Sequence, residues 1–208
     1  MTGDTNSVTL PTIALPMRYS RGGLKQVGVR QRDYIAYAET TGAGMDDGTD
    51  TSRIEMVVLM TPDMANFSGK VHGGALLNLL DRVAFSCASR YSKEYAVTLS
   101  VDQVVFRQPI IVGELVTFRA SINYAGRTSM EVGIRVEAED IRTGVRRHTN
   151  SCYFTMVAVD VDGKPTAVPP YHPKSETAQQ RLRAAEVRRS LRREFETRFR
   201  AAGSTTTG

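Results

Sequence analysis

Cysteine is scarce in these 208 residues: there are two, Cys87 and Cys152, and both lie in apolar segments. Such a pair argues against a disulfide framework and against a cysteine-based metal centre, and fits buried free thiols in a reducing compartment. Histidine is nearly as rare. His72, His148 and His172 are scattered with no ligand spacing, so no metal site is expected. No apolar run approaches the ~20 residues of a membrane span. The N-terminus has no apolar signal core, so secretion is not expected and a cytoplasmic location is. Acidic excess is absent too, since the formal net charge is +5. That charge is localised. Residues 181–200 carry Arg181, Arg183, Arg188, Arg189, Arg192, Arg193, Arg198 and Arg200 against Glu186, Glu194 and Glu196, a surplus of five that equals the whole net charge.

What remains is ordinary globular material, 41% hydrophobic and long enough for one domain with a core plus tails. Residues 1–50 read as a poorly ordered N-terminal extension. Their first 28 residues are rich in Thr, Gly and Pro, and Val29, Tyr34, Ile35 and Tyr37 offer at most an edge element over 29–40. A single domain is expected over 51–170, and a basic amphipathic helix over 174–202.

The domain is organised around residues 61–90. A polar loop runs into His72-Gly73-Gly74 and then into a helix with apolar residues on almost every side, from Ala75 to Ala88. A helix of that kind is expected to be buried. Strands are expected at 54–60, 97–106, 115–124, 130–139 and 146–161, separated by short turns that imply antiparallel pairing. The expected class is α+β, an antiparallel sheet wrapped round a central buried helix.

Asp81 is the one acid in the middle of that helix. Either it faces a wet groove or pairs with Arg82 or Arg90, or it works as a general base or nucleophile. Gly73-Gly74 is either a plain helix-entry turn or a place where a ligand carbonyl approaches the unpaired N–H groups of a helix start. Asn66 is either a turn residue or a group that orients water or a substrate carbonyl. His72, just before the helix, ranks below Asp81 as a base, because a cap or contact role is the commoner one.

Near the C-terminus, Pro169, Pro170 and Pro173 break the chain and Ser175 is a good N-cap, with Glu176 in the first turn. Val187, Leu191, Phe195 and Phe199 recur every four residues. This narrow stripe is expected to dock on the sheet or on another subunit. Nucleic-acid and membrane readings rank lower, because glutamates interrupt the helix and no known DNA-binding unit accompanies it.

The run N-x-x-x-x-x-H-G-G-A-x-L-x-x-x-D, from Asn66 to Asp81, resembles the hotdog-fold acyl-CoA thioesterases. The stretch VTLSVDQVVFRQPIIVGELV, with Phe106, Pro109 and Gly113, is similar to the family's second motif. GRTSMEV at 126–132 resembles its coenzyme A turn, and FTMVAVDVDGKPTAVP at 154–169 its closing strand.

This resemblance implies that Asp81 is the catalytic carboxylate and that Asn66, from a neighbouring subunit, positions water or the thioester. It makes Gly73 and Gly74 the oxyanion-binding backbone. His72, Thr98, Leu99, Ser100, Arg127, Thr128 and Ser129 would contact coenzyme A, joined by Arg188 or Arg189 of the basic helix. It implies no cofactor beyond the coenzyme A of the substrate, and a homodimer at least, possibly a trimer of dimers. Two rivals stand beside it: a non-catalytic acyl-CoA sensor, and a hotdog dehydratase in which only His72 could serve as the base.

Overall fold

A computed structural model describes residues 50–203 of the chain. The N-terminal extension, apart from Asp50, and the edge element expected over 29–40 lie outside the described residues. The order is β1 (Arg53–Leu59), a short 3-10 turn (Pro62–Met64), α1 (Gly73–Ser92), β2 (Tyr95–Val101), β3 (Leu115–Ala125), β4 (Ser129–Glu139), β5 (Arg146–Val159) and α2 (Glu176–Gly203).

The five strands form one antiparallel sheet in the order β1-β3-β4-β5-β2. The two strands that flank α1 in sequence therefore occupy opposite edges. At about 4.8 Å per strand the edges are about 19 Å apart. α1, with 20 residues and a rise of about 1.5 Å each, is long enough to cross the whole face.

Alternation places Val116, Phe118, Ala120 and Ile122 of β3 on that face, with Val132, Ile134 and Val136 of β4 and Cys152, Phe154 and Met156 of β5. Against them pack Leu76, Leu79, Leu80, Val83, Ala84, Cys87 and Ala88, a stripe at helical spacing.

α1 is not enclosed on all sides as expected. Gly74, Leu77, Asn78, Asp81 and Phe85 form a second, open stripe, with Leu77 and Phe85 each 40% exposed. One layer of sheet covers only one side of a helix, so the apolar residues of the other side stay open. The strand expected over 97–106 ends at Val101. Beyond it the chain leaves the ladder and is held by isolated backbone bonds, Asp102 N–H to Tyr153 O and Arg107 N–H to Thr149 O.

α2 does not lay its apolar stripe on the sheet, one of the two dockings expected for it. Ser175 caps it, its hydroxyl accepting from the Ala178 N–H at 3.2 Å. The face laid on the sheet, however, is the arginine face. Ala178 and Ala185 are buried, and Arg188 and Arg192 reach Glu131 on β4, which is 2% exposed. Val187, Leu191, Phe195 and Phe199 point away from the sheet and are 57–69% exposed. The reason lies in the sheet's outer face, where Ser121, Asn123 and Glu131 offer hydrogen-bonding groups rather than apolar surface. Gly133 makes room for them, since a side chain there would collide with Asn123.

Candidate active site

Asp81 sits on the open stripe of α1. Thr98 Oγ1, on the neighbouring edge strand, donates to its Oδ1 at 2.6 Å. The two line a cleft of about 470 Å³ with Arg82, Phe85, Ser86, Ala96 and Val97. The ion pairs formed among the described residues do not join Asp81 to Arg82 or Arg90, so the bland salt-bridge alternative is not what the structure shows. The carboxylate is exposed and keeps its second oxygen open to the cleft.

At the N-terminal end of α1, His72 is a helix cap. Its Nδ1 accepts from the Ala75 N–H at 2.9 Å, while its carbonyl takes the N–H groups of Ala75 and Leu76. The N–H groups of Gly73 and Gly74 come before the first internal bonds and stay free of the helix. Glycine at 74 has a steric reason, because a Cβ there would sit 3.1 Å from His72 Nδ1. Gly73 lies against the Phe106 ring and helps line a second cavity of about 160 Å³.

Asn66 ties the loop ahead of the helix. Its Oδ1 accepts from the Ser68 N–H at 2.9 Å, the Ser68 hydroxyl at 2.8 Å and the Lys70 N–H at 3.2 Å. That is the turn role; the amide nitrogen makes no bond within the described chain. Beside it Phe67 is fully exposed.

The remaining candidates gather at one end of the sheet. Val157 of β5 pairs with Ser129 on one side and with Val97 on the other, so the turn of Arg127, Thr128 and Ser129 lies across β5 from Thr98. Leu99 is extruded by a bulge between Thr98 and Ser100 and is 69% exposed. Arg127 is exposed, while its carbonyl accepts from the Val168 N–H.

Arg188 and Arg189 are not free to meet a phosphate in this chain. Arg188 pairs with Glu131 at 2.5 Å and stacks 3.6 Å over Tyr153; Arg189 bonds the Tyr124 hydroxyl. Arg192 bridges Glu131 and Asp102 at 2.9 and 2.7 Å. Burial opposes its charge, but the two carboxylates outweigh this and hold it above the ordinary guanidinium range. Sequence reading missed the Glu131–Arg192–Asp102 web, whose one signal was an acid on a strand face otherwise carrying Asn and Ser.

The buried thiols stand apart from this chemistry. Burial pushes Cys87 and Cys152 each up to about 12. Among the described residues no group of His, Cys, Asp and Glu is placed to hold a metal ion. No helix there is long and apolar enough to cross a membrane.

Asp81 and the helix start lie well apart in this chain. Asp81 lies eight residues beyond Gly73, about 12 Å along the helix axis. A single thioester carbonyl cannot touch both.

Residues 68–145 match the family model described as "Thioesterase superfamily". The chain is 54% identical to Protein VdlD of Helicobacter pylori over 146 residues, which are 70% of this chain and 83% of that one. Among solved structures, an apo-hexameric acyl-CoA thioesterase is 34% identical with a TM-score of 0.68, covering 70% of this chain and 94% of its own. An acyl-CoA hydrolase of Staphylococcus aureus, solved with butyryl coenzyme A and coenzyme A, is 27% identical with a TM-score of 0.66, covering 75% and 96%. For that hydrolase, structures exist of single alanine variants at an asparagine, an aspartate and a threonine, 15 and 17 residues apart. Asn66, Asp81 and Thr98 are spaced by the same 15 and 17 residues.

Proposed function

This chain belongs to the hotdog-fold acyl-CoA thioesterase family, and we propose that it hydrolyses acyl-CoA to a free acid and coenzyme A at sites built between two copies of itself. The observation that carries this reading is the Asp81–Thr98 pair, an exposed carboxylate held through one oxygen beside an open cleft. The matching interval to Asn66 supports it.

Asp81 acts as general base on water or as the nucleophile itself. As base, it takes a proton from water while the hydroxide adds to the thioester carbon. The C–S bond then breaks, and the departing thiolate recovers the proton. The N–H groups of Gly73 and Gly74 from the other copy stabilise the developing oxyanion, and that copy's Asn66 amide nitrogen holds the water or the carbonyl. The separation of about 12 Å between Asp81 and Gly73 favours the two-chain arrangement. So do the unpartnered Leu77, Phe85 and Leu99 around Asp81, and Phe67 beside Asn66.

Thr98, Leu99, Ser100, Arg127, Thr128 and Ser129 form the groove for coenzyme A, and no cofactor is needed beyond it. A homodimer is the least assembly, with trimers of dimers a natural extension, and the cytoplasm is the setting. The dehydratase alternative is disfavoured because His72 Nδ1 is committed to the Ala75 N–H.

The test is free-thiol release from short, medium, long and aromatic acyl-CoAs by the wild type and Asp81→Ala. Turnover that disappears in the variant supports the reading. Tight acyl-CoA binding with no turnover on any substrate hands the protein to the sensor alternative.

A further inference from the structure

α2 crosses the outer face of the sheet and runs off its edge. Arg181 meets Ser121 on β3, Arg188 meets Glu131 on β4 and lies over Tyr153 of β5, and Arg192 meets Asp102 just past β2. These strands are neighbours in that order, and β2 is the last of them. Arg189, on the flank of the helix, reaches back to Tyr124 of β3. From β3 to β2 there are three strand spacings, about 14 Å. Arg181 to Arg192 is eleven residues of helix, about 16 Å. The helix therefore lies across the strands, and at Arg192 it stands over the edge.

Eleven more residues carry it to Gly203, about 16 Å further. Residues 193–200 are exposed throughout. The side of α2 that lies on the sheet carries Ala178, Ala185, Arg188 and Arg192. The exposed stripe starts far round from that side, at Val187, and turns toward it by about 40° with each step of four residues. Phe195 and Phe199 follow Arg188 and Arg192 by seven residues each, which brings them within about 20° of the docked side. They clear the sheet because the sheet has ended. Where the helix leaves its own chain, its docking side thus changes from alanine and arginine to two stacked rings.

We propose that the last three turns of α2 are an arm that grips a second copy of this chain, with Phe195 and Phe199 seated on that copy beyond the β2 edge. The proposal rests on the two-copy arrangement above and names a surface that holds it together. β2 is bonded on one side alone, to β5, and its Tyr95, Val97 and Leu99 are exposed. A second copy joined at that edge brings its own sheet under the arm, and by two-fold symmetry each copy gives one arm and receives one. The area agrees. Four rings at about 150–250 Å² each supply about 600–1,000 Å² of the about 1,200–2,000 Å² that a stable interface needs, and the joined edges supply more. The charge agrees as well. Arg193, Arg198 and Arg200 stand against Glu194 and Glu196, three against two, and Arg198 pairs with Glu194 within the arm. A nearly neutral aromatic arm suits a protein surface better than an anionic membrane.

The experiment measures self-association of the full chain by sedimentation velocity. The proteins are wild type, the double variant Phe195→Ser, Phe199→Ser, and Val187→Ser as a control on the far side of the helix. The double variant should raise the dissociation constant at least a hundredfold, as expected where anchoring aromatics are lost, and Val187→Ser should leave it within about threefold. Both rings are exposed in the single chain, so the variant keeps its fold. In a second measurement, p-benzoylphenylalanine at position 199 is irradiated in an equal mixture of unlabelled and isotope-labelled chains. It should join one kind of chain to the other.

An association unchanged in the double variant, or cross-links confined to single chains, overturns the proposal. So does loss of binding to vesicles of phosphatidylglycerol and phosphatidylcholine while self-association stays intact, which assigns the arm to a membrane. Thiol release separates the arm from the reading it rests on. A weakened association with thiol release equal to wild type at every enzyme concentration keeps the arm and retires the site built between two copies. An unchanged association with full thiol release retires the arm and leaves that site standing.

Discussion

The hydroxyl of Thr98 donates a 2.6 Å hydrogen bond to one carboxylate oxygen of Asp81 across the gap between the edge strand β2 and the open stripe of α1. Hydrogen bonds to a charged group contribute about 1.5–3 kcal/mol. The bond engages one carboxylate oxygen and leaves the other without a partner among the described residues. It also ties Asp81 to an edge strand bonded on one side alone, to β5.

Replacing Thr98 with valine keeps the shape and removes the bond. The expected result is a fall in kcat of about 10- to 100-fold with KM little changed, and recovery of most of the loss in Thr98→Ser. Steady-state kinetics on one acyl-CoA checks it; a kcat equal to wild type would mean that Asp81 needs no holding.

α2 is anchored by charge, so its release should follow from charge removal. Glu131 is 2% exposed and is met by both Arg188 and Arg192. Breaking a buried pair costs about 3–5 kcal/mol. In the double variant Arg188→Ala, Arg192→Ala, the amides of residues 178–192 should exchange hydrogen at least a hundredfold faster than in the wild type. Leu191→Ala, on the outward stripe, should leave their exchange nearly unchanged.

Acid should destabilise the fold through two carboxylates. Burial pushes Glu114 up, but hydrogen bonds from Arg147 and the Ile111 N–H outweigh it, and the carboxyl sits below its ordinary range. Glu137 is also lowered, first by the bond from Arg135 and, against some burial, by Arg119. A carboxyl lowered in the folded state stabilises it above the unfolded pKa of about 4.3 and loses that contribution as pH falls through the lowered value. Thermal melts from pH 6 down to pH 3 should show Tm falling mainly below pH 5. Glu114→Gln should start lower and fall less steeply.

The two thiols should be inert. With both held near 12 by burial, a thiol reagent at pH 8 should label neither Cys87 nor Cys152 in the native protein and both in denaturant. Rapid native labelling of Cys87 would mean that α1 separates from the sheet.

Much of the architecture was legible from residues. The stripe Leu76, Leu79, Leu80, Val83 and the alternation of Val132, Ile134 and Val136 specify a helix on one face of a sheet. Asp81 stood out as the lone acid of that helix. Its bond to Thr98 did not, because an interval of 17 residues across a helix end and a turn carries no contact information.

The apolar count of α1 overstated its burial, since Leu77 and Phe85 are apolar and yet 40% exposed. Of the two dockings expected for the α2 stripe, the one on the sheet is not formed, for a related reason. Its apolar row is visible in sequence, whereas the polar outer face that selects its arginines instead depends on Ser121, Asn123 and Glu131 coming together from two strands.

The central claim is that Asp81 of one copy works with Asn66 and the Gly73–Gly74 N–H groups of another. The most direct measurement mixes two inactive variants, Asn66→Ala and Asp81→Ala, refolded together at equal amounts, and follows thiol release from butyryl-CoA. Random pairing in a two-fold dimer gives half mixed dimers, each with one intact site, so about a quarter of wild-type activity should return. Activity that stays at the level of the separate variants would place both residues in a site made by a single chain and contradict the account.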